Sequence, residues 1–301
     1  MGEKPALHPA VAIKRSLTEA AWSVLEEARA PLSDHTMADA TVVHDVRKAL
    51  KRWRALLRLV GPIIGDEEAH RLRIKARDLA RGLAVARDPR SALDALADLG
   101  ETLPKISART LDTIRKRIDR LRVDAEATIL TDEMRACLTT EFAETADIIG
   151  DWSPGNATFA DVADSLTETY HRGRCAVPDD WATASAEELH DLRKRVVEHR
   201  YQMELIEPLW PRLGRVWVGE AQRLRDRLGR HHDLTVLALL MRPKKPLAPY
   251  QARLGSIVRG RQREHVRIAA RLAGRLFAEK PGAFRTRLMR LWESRADALA
   301  D

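Results

Sequence analysis

The segment His44-Asp45-Val46-Arg47-Lys48-Ala49-Leu50-Lys51-Arg52-Trp53-Arg54-Ala55-Leu56-Leu57-Arg58 decides how this chain is read. At about 100° per residue, His44, Arg47, Lys51, Arg54 and Arg58 fall within about 80° of one another on a helix. Val43, Val46, Leu50, Trp53, Leu57 and Val60 take the opposite side, so that side is the expected core. Lys48 and Arg52 flank the cationic stripe. Like charges at these spacings repel along a helix, and no acidic residue of the same stripe relieves them. A merely solvated face would interleave glutamates, so the stripe reads as a track for a linear polyanion.

The segment recurs. His190-Asp191-Leu192-Arg193-Lys194 repeats His44-Asp45-Val46-Arg47-Lys48, 146 residues later. Ser16-Leu17-Thr18-Glu19 returns as Ser165-Leu166-Thr167-Glu168, and Leu79, Leu83 and Arg87-Asp88 return as Leu224, Leu228 and His232-Asp233. Three matches in one order at nearly one offset predict a duplicated unit, too long for a solenoid repeat of about 20–50 residues. Arg200 and Tyr201 extend the second stripe, but Val197, Glu198 and Glu204 replace Lys51, Arg52 and Arg58. Helical periodicity dominates from residue 10 to 299 and gives about twelve helices. Among them, 212–229 and 231–242 read as separate, and Gly61-Pro62 and Asp88-Pro89 read as breaks. The expected fold is all-α: two homologous bundles of about six helices, each with a four-helix-bundle-like core. The first covers 1–150, the second 157–301, and 151–156 links them.

Composition narrows the chemistry. The 301 residues carry 52 Lys and Arg against 44 Asp and Glu, a net charge of +8, and 41 of the basic residues are arginine. Residues 151–301 hold most of the excess, 27 basic against 20 acidic. Guanidinium is always charged and matches phosphate oxygens in a two-pronged fashion. Two cysteines make neither a disulfide scaffold nor a four-ligand zinc site. No apolar run approaches the roughly 18 residues of a membrane span, and no signal-peptide core is present near the start. The expectation is a protein of a reducing compartment, the cytoplasm, with no membrane contact.

The paired motifs H-D-V-R-K…K-R-W-R and H-D-L-R-K…R-Y resemble the CHAD family, the conserved histidine α-helical domain, and the similarity covers nearly the whole chain. That resemblance implies two helical halves related by a pseudo-twofold axis and enclosing a basic central pore that binds inorganic polyphosphate. It places His44, Arg47, Lys51, Arg52, Arg54, His190, Arg193 and Arg200 on the pore, and it implies polyphosphate granules as a location and their proteins as partners. Lys48, Arg58, Lys194 and Tyr201 complete the expected polyphosphate-binding set. Lys75, Lys116, Arg172, Arg174, Arg225 and Arg261 are weaker candidates, which spacing alone does not orient. His44 and His190 are expected to open their helices, where free amides favour an anion. No cofactor, metal or catalytic residue is expected.

Three other readings compete. His44-Asp45, His190-Asp191 and His231-His232-Asp233 suggest an HD-type metal-dependent phosphohydrolase. Adjacent His and Asp diverge by about 100° on a helix, however, and Arg three residues on repels a cation in both repeats. Nucleic acid is expected to bind only weakly and salt-sensitively, because aromatics for stacking are scarce at 5%. A scaffold for acidic proteins would use the same stripes.

Overall fold

The computed structural model describes residues 7, 11–83, 87–100, 107–126, 130–152, 155 and 157–300. All regular structure among them is helical. Eleven α-helices follow one another: α1 (Ile13–Ser33), α2 (Asp39–Ile64), α3 (Asp66–Gly82), α4 (Arg87–Gly100), α5 (Ala108–Glu126), α6 (Asp132–Gly150), α7 (Phe159–Cys175), α8 (Ala186–Ile206), α9 (Pro211–Leu240), α10 (Gln251–Leu276) and α11 (Pro281–Ala300). None of the described helices is long and apolar enough to cross a membrane.

Local chemistry sets most boundaries. Ser185 caps α8 by accepting from the Glu188 amide, and the Glu188 carboxylate accepts from the Ser185 amide in return. Pro208 lies in the short 3-10 turn Glu207–Leu209, and Pro211 opens α9, where its missing N–H costs nothing. Pro89 stands likewise in the first turn of α4, so Asp88-Pro89 starts a helix rather than separating two. The expected break at Gly61-Pro62 falls later. α2 runs through Pro62 to Ile64 and stops at Gly65, whose φ of 112° strongly favours glycine.

The two helices expected at 212–229 and 231–242 are one, the 30-residue α9. Gly229 costs about 1 kcal/mol inside a helix. Gly229, His231, Leu234 and Leu237 are buried, and that tertiary burial holds the helix continuous. Ser153, Pro154 and Asn156 of the expected linker lie outside the described residues, as do 127–129 of the helix read over 107–130.

The packing order repeats along the chain. α1 lies on α2 and α6, and α2 on α3; α7 lies on α8 and α11, and α8 on α9. α2 packs across both α7 and α8, joining the two sets. All six positions assigned to the core face of α2 are buried. Trp53 stacks on Trp152 with ring centroids 5.8 Å apart, and Tyr170 stacks on Phe284 at 4.3 Å. A second apolar cluster lies apart, where Leu96 and Leu99 of α4 and Ile114 and Ile118 of α5 meet Leu234 and Leu237 of α9 and Leu254 and Val258 of α10.

Charge is buried beside that second cluster. Asp98 of α4 accepts from Arg261 at 2.8 and 2.9 Å, lies 2.8 Å from His265 Nε2, and reaches Arg230 at 3.3 Å. Burial pushes the Asp98 carboxyl up. Hydrogen bonds from Arg261 and His265, with their charges, outweigh it and hold Asp98 well below the usual carboxylate range.

Candidate functional site

Helices α2 and α8 lie against each other with their cationic stripes on one shared cleft of about 390 Å³. From α2 come Arg47, Lys51 and Arg54; from α8 come His190, Arg193, Lys194, Arg200 and Tyr201. Arg77 and Arg81 of α3 and Arg225 of α9 complete a wall of nine Lys and Arg side chains. Among the described residues only one carboxylate lines it, Glu198. The excess of positive charge selects an anion.

Several of these cations are tied at the rim, which holds them in place. Lys194 meets Asp191 at 2.7 Å, Arg77 meets Asp78 at 2.9 Å, and Arg225 meets Asp226 at 2.6 Å, in solvent-screened pairs that contribute little to stability. An arriving phosphate can exchange with such partners at little cost. Arg200 pairs with Glu204 and lies over the Tyr201 ring, 4.2 Å from its centroid. Arg47 donates from its guanidinium to the Leu83 carbonyl, which ties that head group to the residue just after α3. Arg54 makes no ion pair with a described residue. Burial pushes its guanidinium below the ordinary arginine value, Glu198 acts against that, and Arg58, Arg77 and Arg81 add to it.

The other expected residues lie elsewhere, each for a visible reason. Arg52 turns to Glu27 of α1 at 2.5 Å and Glu204 of α8 at 3.4 Å, clamping three helices together. Arg58 donates to Glu198 at 2.8 Å and lines a second cavity of about 760 Å³ with Arg73 and Arg172. Lys75 is held by Glu141 and Glu144 of α6 on the far side of α3. Lys116 is exposed on α5 beside Asp112, and Arg174 donates to the Phe277 and Glu279 carbonyls. Arg261 turns inward onto Asp98.

His44 and Lys48 are exposed at the outer end of α2 and do not line the cleft. Neither histidine opens its helix. α2 begins at Asp39 and α8 at Ala186, so both lie beyond the first turn, and acidic residues already meet those termini. The free-amide role expected of them is therefore overturned. His190 instead stacks on His232 of α9, with ring centroids 4.8 Å apart.

Arg77 and Arg81 were not among the residues expected from the sequence. Their signal was present: Arg73, Arg77 and Arg81 recur every four residues on α3, as a cationic row must. Among the described residues, no group of three or more His, Cys, Asp or Glu side chains is arranged to hold a metal.

Fold and cleft together define an all-helical protein with paired helix sets and a cationic groove where they meet. The CHAD domain family matches residues 19–242, well over half of the sequence, and the chain belongs to that family. The crystal structure of the CHAD domain from the plant Ricinus communis is similar in fold. The TM-score is 0.56 at 19% identity, over 95% of each chain. No curated protein matches the chain.

Proposed function

We propose that this protein binds inorganic polyphosphate in the cleft between α2 and α8 and does not cleave it. The observation that carries the proposal is the convergence of nine Lys and Arg side chains from four helices on one cavity with, among the described residues, a single carboxylate. Polyphosphate carries about one charge per residue and offers neither bases nor sugars. Charge-assisted hydrogen bonds to phosphate oxygens, about 1.5–3 kcal/mol each before desolvation, suit such a ligand. Tyr201, the only aromatic side chain among the described residues of the cleft apart from the His190 imidazole, is covered by Arg200, which leaves little platform for stacking nucleobases. The cytoplasmic location and the association with polyphosphate granules belong to the same proposal.

The test is binding of short and long polyphosphate chains at two salt concentrations. Log K should fall with log salt more steeply than about −3, at about −0.7 per neutralised charge. Orthophosphate should bind orders of magnitude more weakly than a long chain. Arg47→Glu combined with Arg193→Glu should abolish binding while helical circular dichroism stays native. A shallow slope with equal affinity for orthophosphate points instead to a small-molecule pocket, and time-dependent chain shortening points to a hydrolase.

A further inference from the structure

Two cationic rows run from the cleft into the second cavity, and one carboxylate stands between them. On α2, Arg54 lines the cleft and Arg58, one turn later, lines the second cavity. On α3, Arg77 lines the cleft and Arg73, one turn earlier, lines the second cavity. Glu198 comes from α8 on the cleft side and accepts from Arg58 Nε at 2.8 Å, with Arg195 at 3.4 Å. Its side chain is only 14% exposed, so its charge is poorly screened by solvent. Burial pushes both Arg54 and Arg73 below the ordinary arginine value, and in both Glu198 is the principal charge acting the other way. One carboxylate thus serves as counter-ion to arginines on both sides of the boundary.

We propose that Glu198 is an anionic stop that ends the polyphosphate track between the two cavities, and so limits how many phosphates the protein takes up. The inference rests on the polyphosphate reading above. A phosphate advancing past Arg54 and Arg77 meets a fixed negative charge where Arg58 and Arg73 would otherwise receive it. Beyond them the second cavity carries five carboxylates: Asp66, Glu67, Asp161, Asp164 and Glu168. Neutralising Glu198 therefore lengthens the track by the reach of Arg58 and Arg73 and no further, because the cavity's third arginine, Arg172, is paired with Glu168 at 2.7 Å.

The experiment compares the full chain with Glu198→Gln and Glu198→Met, two routes to the same loss of charge. Binding is measured for tripolyphosphate and for size-fractionated longer chains, and folding is checked by helical circular dichroism. In the unsubstituted protein, affinity levels off at a definite chain length. In both variants the plateau should move to longer chains. The salt slope for long chains should steepen by about 1.4, and their affinity should rise roughly 25-fold at 0.1 M salt, as two further neutralised charges require. An unchanged plateau and slope would overturn the stop. So would affinity falling equally at every length, the mark of a structural clamp. If the unsubstituted protein binds no chain of any length, it is the polyphosphate reading itself that falls.

Discussion

His199 lies fully buried on α8 among Tyr170, Trp217, Phe277 and Phe284, where its Nε2 accepts a hydrogen bond from Trp217 Nε1 at 2.8 Å. A nitrogen that accepts carries no proton, so this imidazole is neutral in the fold. Burial pushes its pKa down to about 3, with the Arg287 charge adding to the shift. His231 on α9 is lowered to about 4, by burial first and by the His265 charge second. In the unfolded chain both titrate near the ordinary value of about 6.5. Between those limits the unfolded state binds more protons, so stability is fully present above about pH 6.5. It is lost as pH falls, at on the order of 1 kcal/mol per pH unit for each histidine. The urea midpoint should therefore be lower at pH 5 than at pH 7, and His199→Gln should weaken that dependence. Equal midpoints at the two pH values would mean that neither ring is neutral and buried in solution.

Among the elements, α2 was the most legible in the sequence. Its apolar spacing identified the core side position by position, because a helix periodicity states which residues share a face. It does not state which helix arrives opposite. Arg52 and Arg58 look unrelieved on the helix wheel of α2, yet Glu27 reaches one from α1 and Glu198 reaches the other from α8. α9 was misread for a related reason: Gly229 and the polar pair His231-His232 suggest an end, and only burial against α4 and α10 shows why the helix continues. Asp98 makes the same point from the other side, since nothing on α4 announces that a lone acidic residue will hold Arg261 and His265. Those two side chains are 9% and 0% exposed. Asp98→Asn leaves the buried His265 without its partner carboxylate and Arg261 with only the partly exposed Glu264, and losing one partner of such a buried set costs about 3–5 kcal/mol. Urea unfolding should show that loss. A change below about 1 kcal/mol would mean that the cluster is hydrated and contributes little.

For the molecule as a whole, the sequence foretold an all-helical fold, and it named the cationic side chains of α2 and α8 that line the cleft. The third wall, from α3, went unread because Arg77 and Arg81 lie outside the recurring motif. The second apolar cluster was also beyond its reach. Leu96, Leu99, Ile114 and Ile118 come from before residue 150, whereas Leu234, Leu237, Leu254 and Val258 come from after it. Neither segment can cover that surface alone. Produced separately, residues 1–152, which keep Trp152 on Trp53, and residues 157–301 should each aggregate. Synthesised together, they should assemble into a one-to-one complex with the helical content and ligand affinity of the continuous chain. Two soluble, independent monomers would overturn this. The link at the midpoint then serves only to raise the local concentration of two mutually dependent fragments, and a split-protein reporter built on this scaffold would reassemble spontaneously.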